Sequence, residues 1–179
     1  MREIEIKARV KSTQQILDIL AKKGIEVTEP IKQHDVVYGR PGAAENAFDS
    51  VWLRIRTENA SKCIFTLKRS VVGHLDSIEH ETAIDDPIEL ANIIKEMGFE
   101  LYSDLTKIRK KAKVDDIELC IDKVPCLGSF VEAEKLMPDD SDHKKVTNEL
   151  WEFLEQYGVT KKDKVDQGYD VLERKQRGL

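Results

Sequence analysis

The stretch that most constrains the fold is the first one, Glu3-Ile4-Glu5-Ile6-Lys7-Ala8-Arg9, which alternates charged and apolar residues without a break. Successive side chains of a strand point to opposite faces, so Glu3, Glu5, Lys7 and Arg9 share one side and Ile4, Ile6 and Ala8 the other. A single edge strand with a wetted face would satisfy this pattern equally well. Repetition narrows the choice. Val51–Glu58 sets Arg54 and Arg56, with Trp52, against Val51, Leu53 and Ile55. Lys62–Arg69 sets Thr66 and Lys68 against Cys63, Phe65 and Leu67, and Ser77–Asp85 sets Glu79 and Glu81 against Ile78, Thr82 and Ile84. Further on, Thr106–Val114 carries Lys107, Arg109, Lys111 and Lys113 on one face, Ile117–Lys123 carries Glu118, Cys120 and Asp122, and Gly128–Leu136 carries Phe130, Glu132 and Glu134. With one more strand within Ile25–Tyr38, interrupted near Pro30, the chain holds about eight strands.

Helices punctuate this series. Ser12-Thr13-Gln14-Gln15 reads as a capping box opening a helix whose apolar side is Ile16, Leu17, Ile19 and Leu20, ended by Gly24. Asp86-Pro87-Ile88-Glu89 opens a second helix that stops at Met97-Gly98. Val146, Leu150, Phe153, Leu154 and Tyr157 recur at helical spacing as a buried stripe. Gly158 ends that helix, Thr160 is the expected next cap, and a last helix should contain Val165, Tyr169 and Leu172. Gly39-Arg40-Pro41-Gly42 opens a loop running to about Ser50, long enough to act as a lid, and Gly73-His74 marks another.

The bulk composition bounds the function. A chain of 179 residues fits one domain spanning 1–179. The net charge of −5 and the scarcity of aromatic residues argue against a dedicated nucleic-acid binder. No run approaches the ~18 apolar residues of a membrane span, and Met1 leads straight into a strand, so a cytoplasmic protein without signal peptide is expected. Cys63, Cys120 and Cys126 lack zinc-type spacing and read as reduced core residues, while His34, His74, His80 and His143 sit in no metal or nucleophile motif. A homodimer is compatible with the sequence.

The charged faces are specialised strand by strand. Arg54/Arg56, Lys68 and Lys107/Arg109/Lys111 are basic, whereas Glu3/Glu5, Glu79/Glu81 and Glu132/Glu134 are acid pairs two residues apart. A solubility surface mixes its charges more loosely. If the sheet closes, the apolar faces turn outward beneath the helices and the charges converge inside a narrow barrel. Burying so many charges is costly unless they are paired or bind ions. A polyanion held with hard cations would satisfy both signs at once, since Arg and Lys grip phosphate oxygens and carboxylates hold Mg²⁺ or Mn²⁺. On these grounds two readings stand: a phosphate-plus-metal tunnel, and an antiparallel domain with a charged, wetted face.

The ordered set resembles the CYTH, or triphosphate tunnel metalloenzyme, superfamily. Its hallmark is an N-terminal Glu-x-Glu-x-Lys strand, here Glu3, Glu5 and Lys7, followed by Arg54-x-Arg56, Lys68, Glu79-x-Glu81, Lys107-x-Arg109, Asp122, Glu132-x-Glu134 and the closing Gly168-Tyr169-Asp170-Val171-Leu172. The resemblance implies a closed eight-stranded antiparallel β-barrel with helices outside. It also implies that Glu3, Glu5, Glu132 and Glu134 are metal ligands for Mg²⁺ or Mn²⁺, two ions being expected, with Asp122 assisting. Lys7, Arg54, Arg56, Lys68, Lys107 and Arg109 look like the triphosphate clamp, with Lys7, Arg56, Lys107 and Arg109 closest to the chemistry. Glu79 and Glu81 look like lumen carboxylates that hold clamp residues or a second metal. Many relatives carry an Arg two residues before that pair, where this chain has Ser77. Among the family, the chain looks most like class IV (CyaB-type) adenylyl cyclases, which convert ATP to cyclic AMP and pyrophosphate. The alternatives are hydrolysis of inorganic triphosphate or thiamine triphosphate, and a triphosphate- or polyphosphate-binding module without turnover.

Overall fold

The computed structural model describes residues 2–42, 50–71 and 75–179. Strands form at Arg2–Val10 (β1), Ile31–Gly39 (β2), Val51–Glu58 (β3), Lys62–Ser70 (β4), Asp76–Ala83 (β5), Glu100–Val114 (β6), Ile117–Val124 (β7) and Gly128–Met137 (β8). Helices form at Gln14–Lys22 (α1), Pro87–Glu96 (α2), His143–Glu155 (α3) and Tyr169–Arg177 (α4), with a 3-10 turn at Lys161–Asp163. The strands close into an antiparallel barrel in the order β1-β5-β4-β3-β2-β6-β7-β8. Two compact units make up the chain, Met1–Ile31 with Lys107–Asp166, and Lys32–Thr106 with Gln167–Leu179.

In the first unit the alternation sorts the side chains as expected. Ile4, Ile6 and Ala8 of β1, Leu119 and Ile121 of β7, and Val131 and Ala133 of β8 share one cluster with Ile16 and Leu20 of α1 and Val146, Leu150, Trp151 and Leu154 of α3. Removing this apolar surface from water drives the helices onto that face. Glu3, Glu5, Lys7, Asp122, Glu132 and Glu134 of the same strands therefore occupy the face away from the helices, while Lys135 of β8 lies on the helix side, 2.5 Å from Glu149 of α3. Asp142 caps α3, its carboxylate accepting from the backbone N–H groups of Lys144 and Lys145. The capping box expected at Ser12 is not made. α1 begins at Gln14 behind Thr13, and the Ser12 hydroxyl accepts from the Gln14 backbone N–H at 3.1 Å. Ser12 thus lies one residue too early to reach the donors of the first full turn.

The second unit repeats the arrangement. Tyr38, Leu53 and Ile55 are buried with Ile94 of α2 and Phe99, and Phe65, Leu67, Leu90 and Ala91 pack against them. The Asp86 carboxylate accepts from the backbone N–H groups of Ile88 and Glu89, as the Asp-Pro start predicts. Thr160, likewise, caps the 3-10 turn.

Several boundaries differ from expectation. β2 starts only after Pro30, which lacks an N–H for a strand ladder. β6 begins at Glu100 rather than Thr106, because the alternation is irregular through Ser103-Asp104 and hides the early half. α4 starts at Tyr169, and Val165 instead donates its N–H to the Lys7 carbonyl at 2.8 Å. Of the cysteines only Cys120 is a core residue; Cys63 is half-buried and Cys126, in the turn between β7 and β8, is exposed. The Gly73-His74 loop and most of the expected lid loop lie outside the described residues.

Candidate functional site: two sets of buried charges

In the first unit, strand register brings the charges together. β1 pairs with β8 so that Glu5 lies opposite Glu134 and Lys7 opposite Glu132. β6 pairs with β7 so that Arg109 lies opposite Asp122. The result is a buried lattice in which Lys7, Lys107, Arg109, Asp122 and Glu132 are each less than 5% exposed. Lys7 Nζ lies 3.1 Å from Glu132 Oε1 and 3.3 Å from Glu5 Oε1. Arg109 donates through Nε and Nη2 to the two oxygens of Asp122 at 2.8 and 2.6 Å, and through Nη2 also to Glu132. Its Nη1 is 3.5 Å from Glu134, and Lys107 Nζ is 3.6 Å from Asp122.

These neighbours drive two carboxyls on one strand face apart. Burial opposes ionisation of Glu132, but Lys7, then Arg109 and Lys107, outweigh it and hold the carboxyl well below the usual range. Glu134 is raised instead, first by burial, with the like charges of Glu132 and Glu118 adding to it against the attraction of Arg109. Asp122 is lowered, with Arg109 and then Lys107 overcoming its burial.

Oxygens of Glu5, Glu132 and Glu134 lie within 4.8 Å of one another. Three hard donors at that spacing fit one divalent ion at about 2.0–2.6 Å from each. Glu3 stands two residues before Glu5 on the same strand face, half-buried and outside this triad. Asp122 is outside it too, with both oxygens committed to Arg109. A second grouping, Glu118, Cys120 and Glu134, has the same spacing. Burial, with Glu134 next, pushes the Cys120 thiol well above its ordinary value, so it is a protonated and poor ligand near neutral pH.

In the second unit the basic residues of β3 and β4 meet acids on both neighbours. Arg54 Nη2 donates to Thr66 Oγ1 at 3.1 Å and to Glu81 Oε1 at 3.2 Å, with Glu79 Oε2 at 3.9 Å. Arg54 Nε is buried and has no hydrogen-bond partner among the described residues. Lys68 Nζ lies 2.6 Å from Glu79 Oε1, which also accepts from Ser77 Oγ at 2.9 Å. Ser77 thus orients the acid that holds Lys68. Arg56 is gripped by Asp35, Nε to Oδ1 at 2.7 Å and Nη2 to Oδ2 at 2.8 Å. Trp52 lies on Gly39, where an added Cβ would come within 2.4 Å of its ring, and its Nε1 donates to Ser50 Oγ at 3.1 Å, which reads as packing.

Burial alone would raise the Glu79 carboxyl, but Lys68 and then Arg54 bring it down from 4.5 to about 2. A depressed folded-state value contributes stability above the unfolded value that is lost as pH falls through the folded one. Glu79→Gln should therefore unfold more easily than the parent near neutral pH, by about 2–3 kcal/mol at most. The gap should close between about pH 4.5 and 2, and parallel acid titrations of thermal unfolding would measure it.

Sequence reasoning thus named the charged residues of β1 and of β3 to β8, but it missed Asp35, Gln33 and the structural part of Thr66. Asp35 is buried opposite Arg56 in register, Gln33 is fully buried and donates to Glu58 at 2.7 Å, and Thr66 is fully buried between Arg54 and Glu81. The alternation Gln33-x-Asp35-x-Val37 was the available signal, masked by His34 on the other face.

Residues 1–169 match the CYTH domain. The chain belongs to the CYTH domain family. Among CYTH relatives, a proposed adenylate cyclase from Methanocaldococcus jannaschii is 30% identical over 181 residues, covering 100% of both chains. The fold is shared with a Pyrococcus horikoshii OT3 protein, at TM-score 0.81 and 23% identity over 95% of this chain and 98% of that one. It is shared more distantly with a proposed adenylyl cyclase from Hippeastrum, whose description reports a dominant triphosphatase activity, at TM-score 0.62 and 19% identity over 99% of this chain and 95% of that one. No helix among the described residues is long and apolar enough to cross a membrane.

Proposed function

We propose that this CYTH protein is a divalent-metal-dependent adenylyl cyclase that converts ATP to cyclic AMP and pyrophosphate. The observation that carries the metal-dependent part is the triad Glu5, Glu132 and Glu134, three carboxylates on two paired strands whose oxygens converge within 4.8 Å. Membership of the family and full-length similarity to a proposed adenylate cyclase support the substrate class and the cyclase reading. Residues 1–179 act in this reading as one tunnel domain.

The roles divide by chemistry. Glu5, Glu132 and Glu134 are the proposed ligands, with Glu3 behind Glu5 on the same face. A Mg²⁺ or Mn²⁺ ion held there would lower the pKa of the attacking hydroxyl and neutralise phosphate charge. Lys7, Lys107 and Arg109 of the first unit, and Arg54, Arg56 and Lys68 of the second, are the proposed phosphate-binding cations. Arg54 serves Thr66 and Glu81 through Nη2, but its buried Nε has no hydrogen-bond partner among the described residues, as suits a side chain awaiting an anion. Glu79 and Glu81 hold Lys68 and Arg54 in place. In the cyclase reaction the ribose 3′-hydroxyl gives up its proton to solvent and its oxygen bonds to the α-phosphorus, the bond from that phosphorus to the oxygen bridging to the β-phosphate breaks, and the cations stabilise the pyrophosphate that departs. No nucleophilic side chain is needed.

The second reading, hydrolysis of inorganic or thiamine triphosphate, uses the same cations and is favoured by the triphosphatase activity described for the Hippeastrum structure. One product assay separates them. Purified protein with Mn²⁺ or Mg²⁺ should form cyclic AMP and pyrophosphate from ATP. Release of phosphate from tripolyphosphate or thiamine triphosphate without cyclic AMP would replace the cyclase by the hydrolase, and turnover of none of them would remove both.

A further inference from the structure

We propose that Asp35 is a positioning residue that holds the Arg56 guanidinium in one orientation, so that Arg56 acts on the triphosphate in the transition state and not merely as a source of positive charge. The inference rests on the reading above, in which Arg56 binds phosphate. Asp35 lies on β2 directly opposite Arg56 of β3 in register, and it is only 5% exposed. Both of its oxygens engage the same edge of the guanidinium, Oδ1 with Nε at 2.7 Å and Oδ2 with Nη2 at 2.8 Å. A two-point contact fixes both the χ angles and the plane of an arginine, which a single contact does not.

The first unit contains the same construction. Arg109 is held through Nε and Nη2 by Asp122, again from the directly opposed strand position. There the rest of the guanidinium also faces Glu132 and Glu134. Two arginines fixed the same way, by an aspartate across a strand pair, indicate orientation as the shared purpose.

An anion beside a phosphate-binding arginine weakens the arginine's pull on other anions. Orientation and charge therefore predict opposite results when the charge of Asp35 is removed, and that contrast makes the test. In Asp35→Asn, calorimetry with tripolyphosphate should give an affinity equal to or tighter than the parent's, while kcat falls about tenfold or more. In an Arg56→Lys background, where no planar fork exists to be held, Asp35→Asn should change kcat less than about threefold. Asp35→Glu should recover part of the lost kcat. The Arg56 Nε–H resonance should be slow to exchange in the parent and fast in Asp35→Asn. A kcat within about threefold of the parent in Asp35→Asn, or losses of affinity and turnover that track a lowered melting temperature, would overturn the inference. The same holds if the Arg56→Lys background shows the full loss. A parent protein that fails to bind tripolyphosphate would instead remove the proposed function and this inference with it.

Discussion

Glu132→Gln should lose divalent-dependent turnover by about 100-fold or more while remaining folded. Glu132 is held in its ionised form by direct contact with two cations, Lys7 at 3.1 Å and Arg109. Its carboxyl is kept far below the usual range by Lys7, Arg109 and Lys107 against the opposing effect of burial. Replacement by the amide reduces the triad to two carboxylates. The fold should survive because the charge balance does. Around this residue the chain sets three cations, Lys7, Lys107 and Arg109, against four carboxylates, Glu5, Asp122, Glu132 and Glu134. The substitution leaves three against three, with Lys7 still 3.3 Å from Glu5 and Arg109 still gripped by Asp122. Turnover, Mn²⁺ binding by calorimetry and thermal unfolding should be measured on one preparation. Retained Mn²⁺ affinity in this variant would remove Glu132 from the metal site.

Arg109→Met should show a large loss of stability in addition to any loss of turnover. Arg109 is 4% exposed and meets Asp122, Glu132 and Glu134, and its guanidinium is held charged by Asp122 and then Glu132 despite burial. Removing it takes a shared cation from three buried carboxylates, leaving Lys7 beside Glu132 and Lys107 beside Asp122, and breaking a buried pair from one side costs about 3–5 kcal/mol. For a chain of this length that corresponds to a fall in melting temperature on the order of 10 °C. The sign of its pH dependence follows from the acids left behind. They are destabilising while ionised, so acidification, which protonates them, should narrow the gap to the parent. Added Mn²⁺ should narrow it as well, since an ion can replace the missing positive charge. A melting temperature within a few degrees of the parent's, unaffected by pH and Mn²⁺, would show that the lattice contributes little to folding.

The two variants separate what the buried charges do. A lattice of this kind is a poor device for stability, because apolar residues of the same volume would serve at least as well. Its retention in a barrel of ordinary size points to use of the charges, and the strand periodicity makes that use visible. In the first unit Ile4, Ile6 and Ala8, Leu119 and Ile121, and Val131 and Ala133 pack with α1 and α3, and Glu3, Glu5, Lys7, Asp122, Glu132 and Glu134 take the opposite face, as the period of two in Glu3–Arg9, Ile117–Lys123 and Gly128–Leu136 requires. The same period assigned Arg54, Arg56, Lys68, Glu79 and Glu81 to one side of their sheet.

The sequence alone determined the strand faces, the caps at Asp86 and Thr160 and the family, because these depend on periodicity, on local hydrogen bonds and on an ordered set of residue types. It did not reveal which acid would partner which base, since partnership depends on register between strands far apart in the chain. Tertiary structure decided that Asp122 spends both oxygens on Arg109, that Asp35 does the same for Arg56, and that Glu132 and Glu134, two residues apart, titrate in opposite directions. The physical reason is range. Alternation is written in neighbours along the chain, whereas the charge state of a buried carboxylate is set within a few ångströms by side chains that folding brings from elsewhere.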